Sequence, residues 1–166
     1  FLDIKCRQAG LKPDAVVIVA TVRALKMHGG VAKKDLGTEN LEALRKGIEN
    51  LEKHIENIQK YGLPSVVAIN AFPTDTEAEL NLLREICEAK GVEVALSEVW
   101  AKGADGGVEL AEKLLAILEN NNEAYKPIYD LAMPISKKIK TIAKEIYGAD
   151  DAIISKKALT KIKKFE

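Results

Sequence analysis

The sequence predicts an α/β fold with a parallel sheet, because three short apolar runs alternate with helical patterns. The runs cover residues 15–21, 65–70 and 92–96, and each is nearly continuous in apolar residues and rich in β-branched ones. Such runs are expected where both faces of a strand are covered. A helical pattern separates each run from the next, which is the order of βαβ units with helices on both faces of the sheet.

The pattern after the first run predicts a long amphipathic helix. Its apolar residues recur at steps of three and four and therefore share one helical face. They are Leu41, Leu44, Ile48, Leu51, Ile55 and Ile58. Gly62 and Pro64 are expected to end this helix. Gly47 inside it should cost about 1 kcal/mol relative to alanine.

Two further helices are predicted before residue 120. A capping-box pattern from Thr74 to Glu77 predicts the start of the first, and Gly91 predicts its end. Its inward residues are expected to be Leu82, Leu83, Ile86 and Cys87. The second is expected over residues 108–119. Its apolar stripe is predicted to be Ala111, Leu114, Leu115 and Leu118.

The composition changes after Asn120, so we expect an α/β domain over residues 1–122 and a helical extension over 123–166. Residues 131–166 contain nine lysines and four acidic residues. A lysine-rich helical face is usually solvated surface. The extension should contain one helix that ends at Gly148 and a second that begins at Ser155. The apolar stripe of the first is Ile135, Ile139, Ile142 and Ile146.

Composition excludes several classes of protein. The 166 residues are 47% apolar, which is too many for a disordered chain and enough for one core but not two full domains. No run of about 18 apolar residues is present to span a membrane. The 25 basic and 25 acidic residues cancel, so charge gives no reason to expect a nucleic acid or a membrane surface as partner.

The cysteines and the chain ends also carry expectations. Cys6 and Cys87 are far apart, each in a helix-like stretch, and no secretory signal is recognisable, so we expect free thiols in the cytoplasm. The chain begins at Phe1, and residues 161–166 stop inside a helix-like pattern. We therefore expect a piece of a longer protein.

Ligands of open α/β sheets bind at the carboxyl ends of the strands, so functional residues are expected in the segment after each strand. The first carries Arg23, Lys26 and His28, followed by Gly29 and Gly30. A guanidinium, an ammonium and open backbone N–H groups suit an anionic ligand. The alternative is an ordinary helical turn that ends at Gly29, with Arg23 in a structural ion pair.

An aromatic residue follows each of the other two strands. Phe72 comes just after the second strand, and Trp100, the single tryptophan, lies in the glycine-rich loop after the third. Either side chain alone could cover the end of the core. Together they indicate two aromatic plates for a flat heteroaromatic ring, each contributing about 1–3 kcal/mol by analogy with stacked bases.

Familiar catalytic motifs are absent from the sequence. It contains no G-x-x-x-x-G-K-[ST] phosphate loop, no G-x-G-x-x-G fingerprint and no G-x-S-x-G elbow. His28 and His54 have no acidic or thiol residues at zinc-ligand spacing, so no metal site is expected.

The three strand-end segments resemble signatures of the formate–tetrahydrofolate ligases, in the family's order. They are VATVRALKMHGG at residues 19–30, AINAFPTDTE at 68–77 and SEVWAKG at 97–103. The resemblance extends over essentially the whole chain. It implies an enzyme that uses ATP, with Mg²⁺, to join formate to tetrahydrofolate through formyl phosphate, giving 10-formyltetrahydrofolate.

The resemblance also implies site residues and partners. In the family a phenylalanine and a tryptophan hold the pterin ring, and Phe72 and Trp100 match them; Pro73 and Leu96 match positions that line the slot. The partners would be small-molecule substrates, and the parent enzyme would be a cytoplasmic homo-oligomer. The family's phosphate loop has no match here, so we expect the isolated chain to be inactive.

Individual roles for Arg23, Lys26, His28, Gly29 and Gly30 do not follow from the resemblance. We expect them to position phosphate or formyl phosphate, because of their charge and their place after a strand. Two other functions stay open. One is a non-catalytic α/β module that binds a nucleotide or an anion, and the other is an assembly element.

Overall fold

A computed structural model describes residues 1–120 and 124–166 and contains a three-stranded parallel sheet. The strands are β1 (Val16–Ala20), β2 (Ser65–Asn70) and β3 (Glu93–Ser97), in the spatial order β1-β2-β3. The predicted α/β fold with a parallel sheet is therefore confirmed, with each strand within about one residue of its expected position.

Eight α-helices surround and extend this sheet in the described residues. A π-helical turn (Leu2–Cys6) continues into α1. The helices are α1 (Arg7–Ala9), α2 (Val22–His28), α3 (Leu41–Lys60), α4 (Glu77–Ala89), α5 (Val99–Lys102), α6 (Val108–Asn120), α7 (Ile135–Glu145) and α8 (Lys156–Phe165). Two 3₁₀ turns cover Lys33–Asp35 and Gly103–Gly107. Every described helix is too short or too polar to cross a lipid bilayer.

The core lies between the sheet and the helices α2, α3 and α4. Residues Val67 and Ile69 of β2 are fully buried, as are Leu44 of α3 and Leu83 of α4. The predicted stripe of α3 faces this core except at its ends, where Leu41 is exposed and Ile58 is only half-buried. The two cysteines are buried free thiols.

Two glycines let α2 and α3 touch backbone to backbone. A Cβ atom on Gly47 would lie 1.8 Å from the carbonyl oxygen of Leu25, and one on Gly29 would lie 1.9 Å from that of Ala43. No side chain fits at either distance. The close packing of the two helices therefore explains a glycine in the middle of α3, where its helix propensity is poor.

The start of α4 differs from the prediction by two residues. The capping box uses Thr76 and Glu79, not Thr74 and Glu77. The cause is the turn that precedes the helix: the N–H of Phe72 donates to Oδ2 of Asp75 at 2.8 Å, and the N–H of Asp75 donates to the carbonyl of Phe72 at 2.9 Å. This turn occupies the residues that were expected to form the first helical turn.

The predicted inward stripe of α6 is wrong at three of its four positions. Ala111, Leu115 and Leu118 are exposed, and of that stripe only Leu114 is half-buried. Instead, α6 turns polar side chains to the outer edge of β3, where the Lys113 ammonium donates to the carbonyl of Val94 and the Leu96 N–H donates to Oε2 of Glu109. The half-buried face of α6 also carries Leu110, Leu114 and Ile117, so the helix packs on the sheet through a different apolar stripe.

Residues 124–166 pack against the N-terminal segment and the end of α3. The hydroxyl of Tyr125 donates to the carbonyl of Leu2 at 2.8 Å, and the N–H of Lys126 donates to the carbonyl of Tyr61 at 2.8 Å. Ser155 caps α8, as its sequence predicts. The expected domain boundary at 122/123 lies outside the described residues, and the division into two domains stays a prediction.

Candidate functional site

The carboxyl ends of β2 and β3 bring two aromatic side chains to one edge of the sheet, which we call the carboxyl edge. Asn70 at the end of β2 pairs with Ser97 at the end of β3. Phe72 follows β2 by two residues, and Trp100 lies in α5, just after β3. The indole N–H of Trp100 donates to the carbonyl of Ala71 at 3.2 Å, so the two aromatic loops are joined directly.

The exposure of these side chains shows whether they cover the end of the core or remain accessible at the surface. Trp100 is 63% exposed, so most of its ring does not cover the core. Phe72 is half-buried, and Pro73 beside it is exposed. Leu96, near the end of β3, is half-buried and packs against the core. The four residues expected at a pterin slot therefore all lie at or near the carboxyl edge.

Arg23 lies beside Phe72. Its guanidinium carbon is 5.5 Å from the centre of the Phe72 ring, which is cation–π distance. Arg23 occupies the first turn of α2, and the Thr21 hydroxyl caps that helix by accepting the N–H of Ala24 at 3.1 Å. A cationic group is thus placed next to an aromatic plate at the carboxyl edge.

Lys26 is fully buried in an ion pair with Glu79. Its Nζ lies 2.8 Å from Oε1 of Glu79, with both side chains 0% exposed, and it also donates to the carbonyl of Thr38 at 3.0 Å. Protein groups occupy this ammonium, which sequence reasoning expected to face an anion.

His28, Gly29 and Gly30 lie at the other end of α2, roughly 8 Å along the helix axis from Arg23. The N–H of Gly29 donates to Leu25 at 2.9 Å, and that of Gly30 to Met27 at 3.0 Å. Here the structure differs from the expectation of open backbone donors, because the last helical turn uses both. The carboxyl end of a helix also carries partial negative charge, which disfavours an anion.

Asp75 holds the backbone of Phe72 and is itself incompletely satisfied. One carboxylate oxygen accepts the Phe72 N–H, while Oδ1 is buried without a hydrogen-bond partner. Burial raises the pKa of Asp75; the hydrogen bond from Phe72 opposes this, and the nearby charge of Glu79 adds to it. The carboxyl group beside Phe72 is therefore harder to ionise than an ordinary aspartate.

Glu79 is a site-supporting residue that sequence reasoning did not find. It accepts the N–H of Asn40 at 2.9 Å and that of Thr76 at 3.2 Å, besides pairing with Lys26. Burial acts to raise the pKa of Glu79, but these bonds outweigh it, so the pKa lies below its usual range. The sequence signal for Glu79 was the capping-box pattern from Thr76 to Glu79, two residues after the predicted one.

No metal centre accompanies this arrangement within residues 1–120 and 124–166. In that part of the chain, no group of three or more His, Cys, Asp or Glu side chains is arranged to hold a metal ion. The carboxyl edge presents the Phe72 and Trp100 rings and the Arg23 guanidinium.

A scan against protein-family models matches this chain to formate–tetrahydrofolate ligase over residues 1–166. The chain belongs to the formate–tetrahydrofolate ligase family. The resemblance carried by the three strand-end segments is thereby confirmed. Within this family, the geometry described above separates Arg23, Phe72 and Trp100, which share the edge, from Lys26, which is buried.

Proposed function

We propose that this chain supplies the pterin-binding edge of a ligase that joins formate to tetrahydrofolate at the expense of ATP. Phe72 and Trp100 hold the two faces of the pterin ring, and Pro73 and Leu96 line the slot between them. The observation that carries this proposal is the hydrogen bond from the Trp100 indole to Ala71, the residue before Phe72.

In the proposed reaction, a formate oxygen attacks the terminal phosphorus of ATP, the bond from that phosphorus to the bridging oxygen breaks, and formyl phosphate and ADP result. The N10 amine of tetrahydrofolate then attacks the formyl carbon, forming a C–N bond and releasing phosphate, so 10-formyltetrahydrofolate results. Stacking of the pterin on two rings fixes the folate while N10 approaches its target. ATP and Mg²⁺ belong to the first step.

Arg23 is proposed to position the phosphate or formyl phosphate. Its guanidinium is permanently charged and can bind an oxyanion through two N–H groups, and it lies next to the Phe72 ring. His28 is exposed at the other end of α2, and we assign it no contact with this anion. Lys26, Gly29 and Gly30 belong to the same signature, and we assign them the support of α2, because protein groups occupy their polar atoms.

The isolated 166-residue chain is proposed to be inactive on its own, because its sequence contains no phosphate-loop motif for ATP. Purified chain incubated with ATP, formate and tetrahydrofolate should form no 10-formyltetrahydrofolate above a blank without protein. Turnover that persists through repeated purification would contradict this. We also propose that the parent enzyme is a cytoplasmic homo-oligomer without a nucleic-acid partner.

The test of the pterin site uses the single tryptophan. A folate analogue is titrated into the chain while Trp100 emission is followed, with correction for ligand absorbance. Saturable quenching is expected, and Phe72→Ala should weaken binding by about tenfold, the effect of losing one stacked ring. Phe165→Ala is the matched control, since Phe165 is an exposed ring on α8 and should leave the titration unchanged.

Two results would count against the proposal. The first is an absence of saturable quenching in a chain that is folded by circular dichroism. The second is equal weakening by Phe72→Ala and Phe165→Ala, which would show that quenching does not report on the carboxyl edge. Quenching by ATP but not by the folate analogue would favour a nucleotide-binding module instead.

A further inference from the structure

Beneath the carboxyl edge lies an ion pair that is fully removed from water. Among the ion pairs in the described part of the chain, that of Lys26 with Glu79 is the one whose two side chains are both 0% exposed. Removing two charges from water is costly, and replacing such a pair with apolar residues is often neutral or stabilising. Stability alone therefore does not explain why this buried ion pair is present.

Lys26 connects α2 to the segment before α3. Besides the 2.8 Å contact with Glu79, its Nζ donates to the carbonyl of Thr38 at 3.0 Å. Thr38 lies between the 3₁₀ turn that follows α2 and the first residue of α3. One ammonium thus fixes the path of the chain from α2 to α3.

Glu79 connects the starts of α3 and α4. Its Oε1 accepts the N–H of Asn40 at 2.9 Å, and its Oε2 accepts the N–H of Thr76 at 3.2 Å. Asn40 is the N-cap of α3, and Thr76 is the N-cap of α4. A single buried carboxylate therefore sets three helices, α2, α3 and α4, relative to one another.

The ion pair is connected both to the turn that carries Phe72 and to the helix that carries Arg23. Thr76 directly follows Asp75, whose carboxylate holds the Phe72 N–H at 2.8 Å. Arg23, which lies 5.5 Å from the Phe72 ring, is one helical turn before Lys26 on α2. The pair thus fixes α2, which carries Arg23, and the start of α4, which follows the Phe72 turn.

We propose that Lys26 and Glu79 are positioning residues that hold Phe72 and Arg23 in place for the pterin and the anion. They touch neither substrate and act through α2 and the first turn of α4. The identity of the ligands in this inference rests on the proposed function. The role of the ion pair in holding the Phe72 turn does not.

The test is a double variant that removes both charges together. Lys26→Met/Glu79→Gln leaves no unpaired buried charge, and the glutamine oxygen still accepts one backbone N–H, so a folded chain is expected. Amide hydrogen exchange by NMR should become faster at Phe72 by about fivefold, the factor that one net hydrogen bond supplies. Folate-analogue affinity, measured by Trp100 quenching, should fall by a similar factor.

The matched control is Lys90→Met/Glu52→Gln. This partly exposed pair, with 3.2 Å between Nζ and Oε1, joins the C-cap of α4 to α3 but involves neither α2 nor the N-caps. It should change neither the Phe72 exchange rate nor the affinity. If the first double variant does not fold, Lys26→Gln/Glu79→Gln repeats the test with two side chains that can still hydrogen-bond to each other.

The outcomes separate this inference from the function on which it rests. A folded double variant with wild-type exchange at Phe72 and wild-type affinity overturns the positioning role. Faster exchange at Phe72 with reduced affinity supports it. If the wild-type chain binds no folate analogue, the proposed function fails, while the exchange rate of the Phe72 amide still decides whether the pair positions the turn.

Discussion

The two aromatic loops of the carboxyl edge are held in place by different means. The Phe72 turn, residues 71–76, is tied to the buried Lys26–Glu79 pair through the N–H of Thr76. The Trp100 loop, residues 98–107, is largely exposed. It is closed by the N–H of Glu98 donating to the carbonyl of Gly106 at 3.0 Å.

From this difference we expect the Phe72 ring to be a fixed plate and the Trp100 ring to be an adjustable one. Disturbing the Phe72 turn disturbs buried charges and the starts of two helices, so the cost should appear in the global unfolding free energy. Disturbing the Trp100 loop breaks solvent-exposed contacts, so the cost should stay local.

The largest expected effect comes from removing one charge of the buried pair. Lys26→Met alone leaves the Glu79 carboxylate buried and unpaired, which should lower the unfolding free energy by about 3–5 kcal/mol. The matched change in the Trp100 loop is Lys102→Met, which breaks an exposed pair with Glu98 and should cost less than about 1 kcal/mol. Urea denaturation measures both, and equal losses would remove the contrast between the two loops.

The next effect compares a close backbone contact between α2 and α3 with one inside the Trp100 loop. Gly47→Ala places a Cβ at 1.8 Å from the carbonyl oxygen of Leu25, so α2 and α3 must separate, with a loss of about 1–3 kcal/mol despite the better helix propensity of alanine. Gly106→Ala places a Cβ at 2.5 Å from the carbonyl carbon of Glu98, in an open loop.

Thermal unfolding and Trp100 emission distinguish these two glycine variants. Gly47→Ala should lower the melting temperature with little change in the emission maximum of the folded chain. Gly106→Ala should shift the emission maximum and lower the melting temperature less. The reverse assignment would show that the Trp100 loop, and not the contact between α2 and α3, contributes more to the unfolding free energy.

Sequence reasoning found the carboxyl edge because strand ends are a local signal. Phe72 and Trp100 each follow a short apolar run, and parallel pairing then brings them together without further information. The same reasoning placed Lys26 with Arg23 at an anion site. The ion pair of Lys26 spans 53 residues to Glu79, and nothing in local spacing predicts which acid a helical lysine will meet.

The misplaced capping box and the α6 stripe share a cause. Thr74 to Glu77 fits the capping pattern as well as Thr76 to Glu79, and the choice depends on Asp75 bonding the Phe72 N–H. The predicted α6 stripe satisfies the helical period, yet the half-buried face of α6 carries Leu110, Leu114 and Ile117, with Lys113 at the edge of β3. In both cases the sequence fits two alternatives, and contacts with a neighbouring segment distinguish them only in the tertiary structure.

A smaller effect concerns the pH dependence of the Phe72 turn. The pKa of Asp75 is raised by burial, so its ionisation opposes folding: its contribution is favourable at low pH and is lost as pH rises through the folded pKa. Asp75→Asn keeps an acceptor for the Phe72 N–H and removes that ionisation. The variant should match or exceed wild-type stability at neutral pH.

Melting temperatures between pH 3 and pH 7 check this sign. The advantage of Asp75→Asn should shrink as pH falls towards about 4, near the ordinary aspartate value. The pKa of Glu79 is lowered, so its own contribution is present at neutral pH and lost on acidification in both proteins alike. An advantage that grows on acidification would contradict the assignment to Asp75.

The smallest effect is expected at the adjustable plate. Trp100→Phe keeps an aromatic face but loses the 3.2 Å hydrogen bond to Ala71, which should cost about 0.5–1 kcal/mol of unfolding free energy. Because the variant keeps an aromatic face, folate-analogue affinity by calorimetry should fall only severalfold. Trp100→Leu, which removes the aromatic face too, should weaken binding further at the same stability. If the two variants bind alike, stacking at position 100 contributes nothing, and the pterin would rest on the fixed plate alone.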